Sequence, residues 1–342
     1  MPLTRWLALT ALAVTAAACA TTEPKPAAPV APIAPPPVVE RVPELFESEH
    51  WIVTVARAGD TAETLAQRHL GDAGKAWMIE DYTGKRTFEA GQEVVIPKKD
   101  WNVAGVTPAG YELVPILAYH NIGPDSKGRM MVSVKKFDEQ MRYLKSEGYR
   151  VVSLRRFIEA VTTHRQLPKK SVVLTFDDGY KSFRQYAVPL LKDLGFTATL
   201  FVYLDYVGAG RHALSWQDLK ELAADGFDVQ AHSKTHGDLR RGAKETEAQY
   251  SRRMQVELEQ PLTRLRGQLG QADALAYPYG FWDEHLLHQV RQHGYVAAFT
   301  VRRQSNPTFV APLRINRSQI YGEMTLEEFI RSLTVLHAEE LK

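Results

Sequence analysis

Hydrophobic positions along the chain follow two different rhythms. Near the start, Trp51-Ile-Val-Thr-Val55 and Val94-Val-Ile-Pro97 are short β-prone runs. Between them, Asp60 with Glu63 three residues on has the spacing of a capping box, predicting a helix through Leu70. Ala76–Tyr82 suits a second helix, so residues 48–99 read as strand, helix, helix, strand. From about residue 111 the pattern becomes strand, loop, helix, repeated. Candidate strands are 113–119, 149–153, 171–176, 197–203, 227–231, 274–278, 295–300 and a weak one at 313–316. Phe183, Tyr186, Ala187, Leu190, Leu191 and Leu194 recur at helical spacing, and Gly195 stops that run. Ser215 with Asp218 caps another helix ending at Gly226, and Thr325 with Glu328 caps a last one predicted over 325–342. Helical patterns lie between most of these strands, and alternating β and α units imply a parallel sheet. Seven or eight such units favour an α/β barrel, imperfectly closed, over an open sheet.

Composition narrows the picture. A net charge of +2 over 342 residues excludes the basic excess of a nucleic-acid surface, so no nucleic acid is expected as a partner. The single cysteine, Cys19, rules out an intrachain disulfide. It follows Arg5 and the uncharged, mostly apolar stretch Trp6–Ala18, which is too short to span a bilayer. Ala16-Ala-Ala-Cys19 resembles the lipobox of bacterial lipoproteins; an ordinary cleaved signal is the other reading. The resemblance implies a signal peptide over 1–19 and acylation of Cys19, which would hold the chain to a membrane. With Ala20 and not Asp next, it implies the outer membrane, facing the periplasm. Residues 20–47 are Pro/Ala-rich around Pro35-Pro36-Pro37 and predict an extended tether.

Chemistry gathers where the candidate barrel strands end. In an α/β barrel the active residues sit at the C-terminal strand ends. The first strand runs into His120 and the third into Asp177-Asp178-Gly179. The fifth is followed by His232-Ser-Lys-Thr-His236, the sixth by Tyr277-Pro-Tyr-Gly280 and the last by Arg314-Ile-Asn316. Two adjacent carboxylates at a buried strand end are costly without a cation. His232 and His236, four apart, can face one point if the segment turns helically. Two imidazoles and a carboxylate form a facial set that leaves positions open on a metal. His285, His288 and His293 fall on a helix and read as surface or packing residues.

These motifs carry a family resemblance. Over residues 111–324 the chain resembles the polysaccharide deacetylase family (NodB homology, carbohydrate esterase 4). Thr175-Phe-Asp-Asp-Gly179, His232-Ser-Lys-Thr-His236 and Tyr277-Pro-Tyr-Gly280 match its successive motifs. The resemblance implies a distorted (β/α) barrel and N-deacetylation of an N-acetylhexosamine polymer. It implies Asp177 as catalytic base and Asp178, His232 and His236 as ligands of a divalent metal, most often Zn2+. It also implies that the backbone N–H of Tyr279 helps to form the oxyanion site.

Two departures matter. Ala276 stands where the family's third motif has an arginine that orients the base. The poly-β-1,6-N-acetylglucosamine deacetylase branch also lacks that arginine, and Arg314 is the candidate replacement, a surface ion pair being its other reading. The late Leu-x-His motif that supplies the general acid is absent. Tyr119-His-Asn-Ile122 is similar to a motif of the same branch, so His120 is preferred over His337 as that acid. Residues 48–99 resemble a LysM module through Gly59-Asp60-Thr61 and Gly91-Gln92. That likeness implies binding to glycans containing N-acetylglucosamine, peptidoglycan or poly-N-acetylglucosamine; a structural spacer is the alternative. The asparagine usual after the second LysM helix is missing, with Tyr82-Thr83 in that region. Tyr277, Phe281 and Trp282 are candidates for stacking on sugar rings, or else core aromatics. A non-catalytic glycan-binding protein and a hydrolase of a non-sugar amide are the competing readings.

Overall fold

The computed structural model describes residues 45–125 and 128–339. The proposed signal peptide, Cys19 and most of the tether lie outside them. The tether's predicted end is corrected: Leu45–Glu47 is a strand, paired antiparallel with Trp51–Val55. Trp51–Val55 also pairs antiparallel with Glu93–Pro97, enclosing the helices Ala62–Leu70 and Ala76–Thr83. The strand–helix–helix–strand order is therefore as expected.

The cap of the first helix is not. Thr61 is the N-cap, and its hydroxyl and that of Thr64 form the reciprocal box. Asp60 stands one residue earlier. Its carboxylate accepts from the backbone N–H of Arg57 (2.8 Å) and is gripped by both terminal nitrogens of Arg68. Two consecutive residues could each act as the cap, and sequence spacing alone does not separate them.

The larger unit is a parallel sheet wound in chain order. Ile116–Tyr119, Ser171–Asp178, Thr199–Val202, Asp228–Ala231, Ala274–Ala276 and Ala297–Phe299 are successive neighbours, with Arg150–Val151 beside the start of the second. The weak strand is displaced. Ile315 exchanges hydrogen bonds with Ala298 and Thr300 at one edge, while Ser318–Gln319 pairs with Leu117–Ala118 at the other. The segment 315–319 thus touches both edges of the curled sheet.

Strand parity decides what faces inward. Val172, Leu174 and Phe176 join the core shared with Phe183, Leu191 and Leu194 of the following helical segment. Val173 instead joins Phe201, Ala276, Phe299 and Ile315 in the interior cluster. Because side chains alternate across a strand, Thr175 and Asp177 take the same inward side as Val173. Apolar residues on both faces explain why these strands read as continuous apolar runs.

The predicted last helix is also corrected. It spans only Leu326–Ile330, behind the expected box of Thr325 and Glu328. Leu336–Ala338 then forms a strand antiparallel to Gly110–Glu112, just ahead of the first barrel strand. Thr334 and Val335 are β-prone, and the free edge of Gly110–Glu112 gives the segment a partner that a helix would forgo.

Candidate active site and metal centre

The site forms on the C-terminal rim of the sheet. At the end of Ser171–Asp178, Asp177 points into the barrel and is 3% exposed. Burial alone would raise its carboxyl, but the Arg317 guanidinium, with His232 and His120, outweighs it and holds the group at about 2. Arg317 is fully buried and donates in parallel to both oxygens of Asp177, at 2.7 and 2.8 Å. Two further donors reach the Thr175 hydroxyl (3.2 Å) and the Thr300 carbonyl (3.1 Å).

This corrects the assignment of Arg314. Its guanidinium lies 5.4 Å over the Trp282 ring, whereas Arg317 grips the Asp177 carboxylate. The signal was one of parity. Ile315 is buried inside the barrel, and Arg317, two positions on, shares its face.

Asp178 leaves the strand with φ 74°, followed by Gly179 at φ 83°. A Cβ on Gly179 would lie 3.1 Å from Val202 Cγ1, so both the backbone and the space call for glycine. The turn brings Asp178 to the two imidazoles. Asp178 Oδ1 is 3.7 Å from His232 Nε2 and 3.4 Å from His236 Nε2, and one ligand atom from each residue fits within 4.8 Å of the others. The expected trio therefore converges.

Its route differs from the expected helical turn. Residues 232–236 form a kinked loop with Ser233 at φ 71° and His236 at φ 62°. Of the six described non-glycine residues with positive φ, Asp178, Ser233, His236 and Tyr279 belong to these motifs. Left-handed backbone costs such residues about 1–3 kcal/mol each, so strain concentrates where the side chains are aimed.

The donor set fits a divalent ion. His232 Nδ1 lies 2.7 Å from the Ala276 carbonyl, which can only accept, so the proton is on Nδ1 and the Nε2 lone pair faces Asp178. Burial pushes His232 down to about 4 and lowers His236 too, keeping both imidazoles neutral as metal ligation requires. Asp178 Oδ1 is buried and, among the described residues, has no hydrogen-bond partner. Burial first, with Asp177 adding to it, raises that carboxyl to about 6. A cation among the three would satisfy the orphaned oxygen and reverse the shift.

His120 lies on the same rim, its Nε2 4.0 Å from Asp177 Oδ2. The rival His337 does not. It is on the strand Leu336–Ala338, 49% exposed, stacked on Tyr111 at 4.6 Å and beside Glu339. The Tyr279 ring stands 4.9 Å from that of His236. Tyr277 is a core residue whose hydroxyl donates to the Leu313 carbonyl, the second of its two readings. Phe281 is exposed and Trp282 half-buried. His285 and His288 are exposed, and His293 bonds back to the Gln289 carbonyl.

Comparison with known proteins agrees with this geometry. Residues 164–298 match the model of the polysaccharide deacetylase family. The chain is 28% identical to YxkH of Bacillus subtilis (strain 168) over 187 residues, covering 55% of this chain and 64% of that protein. It is 23% identical over 256 residues to the poly-β-1,6-N-acetyl-D-glucosamine N-deacetylase of Escherichia coli (strain K12), covering 64% and 38%. The chain thus spans less than two thirds of either relative. Among solved structures it is similar to the Streptococcus pyogenes deacetylase PplD in complex with acetate, with TM-score 0.59, 27% identity, and coverage of 65% and 98%. IcaB from Ammonifex degensii gives TM-score 0.58 at 26% identity, covering 66% and 98%.

Proposed function

We propose that this chain, whose residues 164–298 match the polysaccharide deacetylase family model, is a metal-dependent N-deacetylase. It removes acetate from an N-acetylglucosamine-containing envelope or exported polysaccharide. The observation that carries the reading is the convergence of Asp178, His232 and His236 beside a buried carboxylate, Asp177, that Arg317 keeps ionised.

Zinc held by Asp178, His232 and His236 would supply an acidified water and a Lewis acid for the acetamide carbonyl. Asp177 takes the proton of the attacking water, and Arg317 holds its two oxygens in a fixed plane. The Tyr279 backbone N–H helps to bind the oxyanion. His120 gives a proton to the amine as it leaves, because an amide nitrogen is otherwise a poor leaving group. Acetate and a glucosamine unit are the products.

Two features bear on the polymer. The E. coli relative is by name a poly-β-1,6-N-acetyl-D-glucosamine N-deacetylase, which favours that polymer. The LysM-like unit at 48–99 fits peptidoglycan as well, and we assign it a glycan-holding role. Acylation of Cys19 would tether the enzyme to the outer membrane on its periplasmic side. Acetate release from poly-β-1,6-N-acetylglucosamine, peptidoglycan and a non-sugar N-acetyl amide, each with and without chelator, tests the proposal. Chelator-sensitive release from one of the two polymers is expected. Retention on peptidoglycan with no acetate released would leave only a sugar-binding scaffold.

A further inference from the structure

One carboxylate grips the loop that carries both imidazoles. Glu257 is 6% exposed and stands in the wide helical turn Gln255–Glu259. Its Oε2 accepts from the backbone N–H groups of Lys234 (3.1 Å) and Thr235 (3.0 Å). Its Oε1 accepts from the Thr235 hydroxyl (2.8 Å). A buried carboxylate is costly unless hydrogen bonds replace its water. Here three neutral donors do so, and all three come from the two residues between Ser233 and His236.

The wide turn has a cause in the sequence. Pro261 has no N–H to return to the carbonyl of Glu257, four residues back, so a regular ladder cannot pass through. The same spacing recurs at Phe183–Ala187 ahead of Pro189, where the Val188 N–H bonds to Phe183 five residues back. Around Glu257 the neighbouring Val256 is exposed, while Glu257 and Leu258 are buried.

The grip falls between two strained residues. Ser233 and His236 both have left-handed backbone, and the His236 N–H donates to Ser233 Oγ at 2.9 Å. Glu257 binds the N–H groups of both intervening residues. Released, the segment would relax toward ordinary backbone and carry the His236 ring away from Asp178. We infer that Glu257 is a positioning residue for the metal centre, holding His236 in ligating register with Asp178. The inference rests on the reading of Asp178, His232 and His236 as metal ligands.

Cobalt(II) binding to the full chain tests it, read by titration and by visible absorption. Glu257→Gln keeps the shape but presents one acceptor oxygen to three donors. It should melt cooperatively without metal, bind cobalt about 10- to 100-fold more weakly and shift the absorption bands. Thr235→Val removes one of the three bonds at an exposed side chain and should weaken binding by a smaller factor. It decides the matter alone if Glu257→Gln does not fold. Cobalt affinity and spectrum equal to those of the unmodified chain in the variants that fold would overturn the inference. Failure of the unmodified chain to bind cobalt would instead sink the metal reading, and this inference with it.

Discussion

Arg317 and Asp177 are joined by two parallel hydrogen bonds in the interior of the barrel, and neither side chain meets solvent appreciably. The pair links the segment that touches both sheet edges to the strand that carries the proposed base. Its removal should be felt in both stability and chemistry. Breaking a buried ion pair from one side costs on the order of 3–5 kcal/mol, because the other charge stays behind. Arg317→Met is expected to lower unfolding free energy by about that much in chemical denaturation.

The pH dependence of that loss has a definite sign. Asp177 sits at about 2 in the folded chain, below the ordinary aspartate value of about 4. The ion pair therefore stabilises the fold above about pH 4, and its contribution disappears as pH falls through 2. Without Arg317, burial dominates and the carboxyl moves up. Arg317→Met should then gain stability relative to the unmodified chain on mild acidification, and the acid limb of its activity should shift to higher pH. Arg314→Ala, which touches neither partner, should leave both profiles in place.

Asp177→Asn separates the proposed base from the proposed metal ligands. The amide cannot accept the water's proton, while Asp178, His232 and His236 are untouched. Acetate release should fall by about 10^2- to 10^4-fold, with bound metal per chain unchanged. Normal turnover by this variant would remove Asp177 from the mechanism.

Much of this site was legible in the sequence, and the physical reasons are specific. Ser171–Asp178 is apolar on both faces, so its polar end stood out as Asp177-Asp178. His232 and His236 stood out by spacing, although a kinked loop and not a helical turn brings them together. Arg317 did not stand out. It lies between Asn316 and the strand Ser318–Gln319, which is too short and polar to differ from a loop, and only its parity with Ile315 marks it as interior. Glu257 acts on Thr235 across 22 residues from inside a charged helix, and local spacing carries no trace of such a contact. The last helix failed for a related reason, since pairing with Gly110–Glu112 overrides local propensity.

Placement favours one of the two candidate acids. His120 shares the rim with Asp177, whereas His337 is stacked on Tyr111 on a separate antiparallel sheet. His120→Asn should reduce acetate release by about 10^2- to 10^4-fold. His337→Asn should leave it within about twofold. The reverse pattern in parallel assays would transfer the proton-donor role to His337.

The strand–helix–helix–strand unit carries its own acid-sensitive contact. Arg68 holds the Asp60 carboxyl down at about 2, aided by the Arg57 N–H, against the opposing effect of burial. Because the folded value is depressed below the ordinary value of about 4, the contact stabilises the unit above pH 4. It is lost progressively as pH falls through 2. Asp60→Asn should lower the melting temperature of the unit at pH 7, since the amide offers Arg68 one neutral oxygen in place of two charged ones. It should also flatten the fall in melting temperature between about pH 4 and 2, because no proton is then taken up at this site on unfolding. Trp51 and Trp77 lie within the unit and the other four tryptophans outside it, so fluorescence follows the unit in a background with those four replaced by Phe. Parallel melting curves for the two proteins across that pH range would show that acid unfolding of the unit is governed elsewhere.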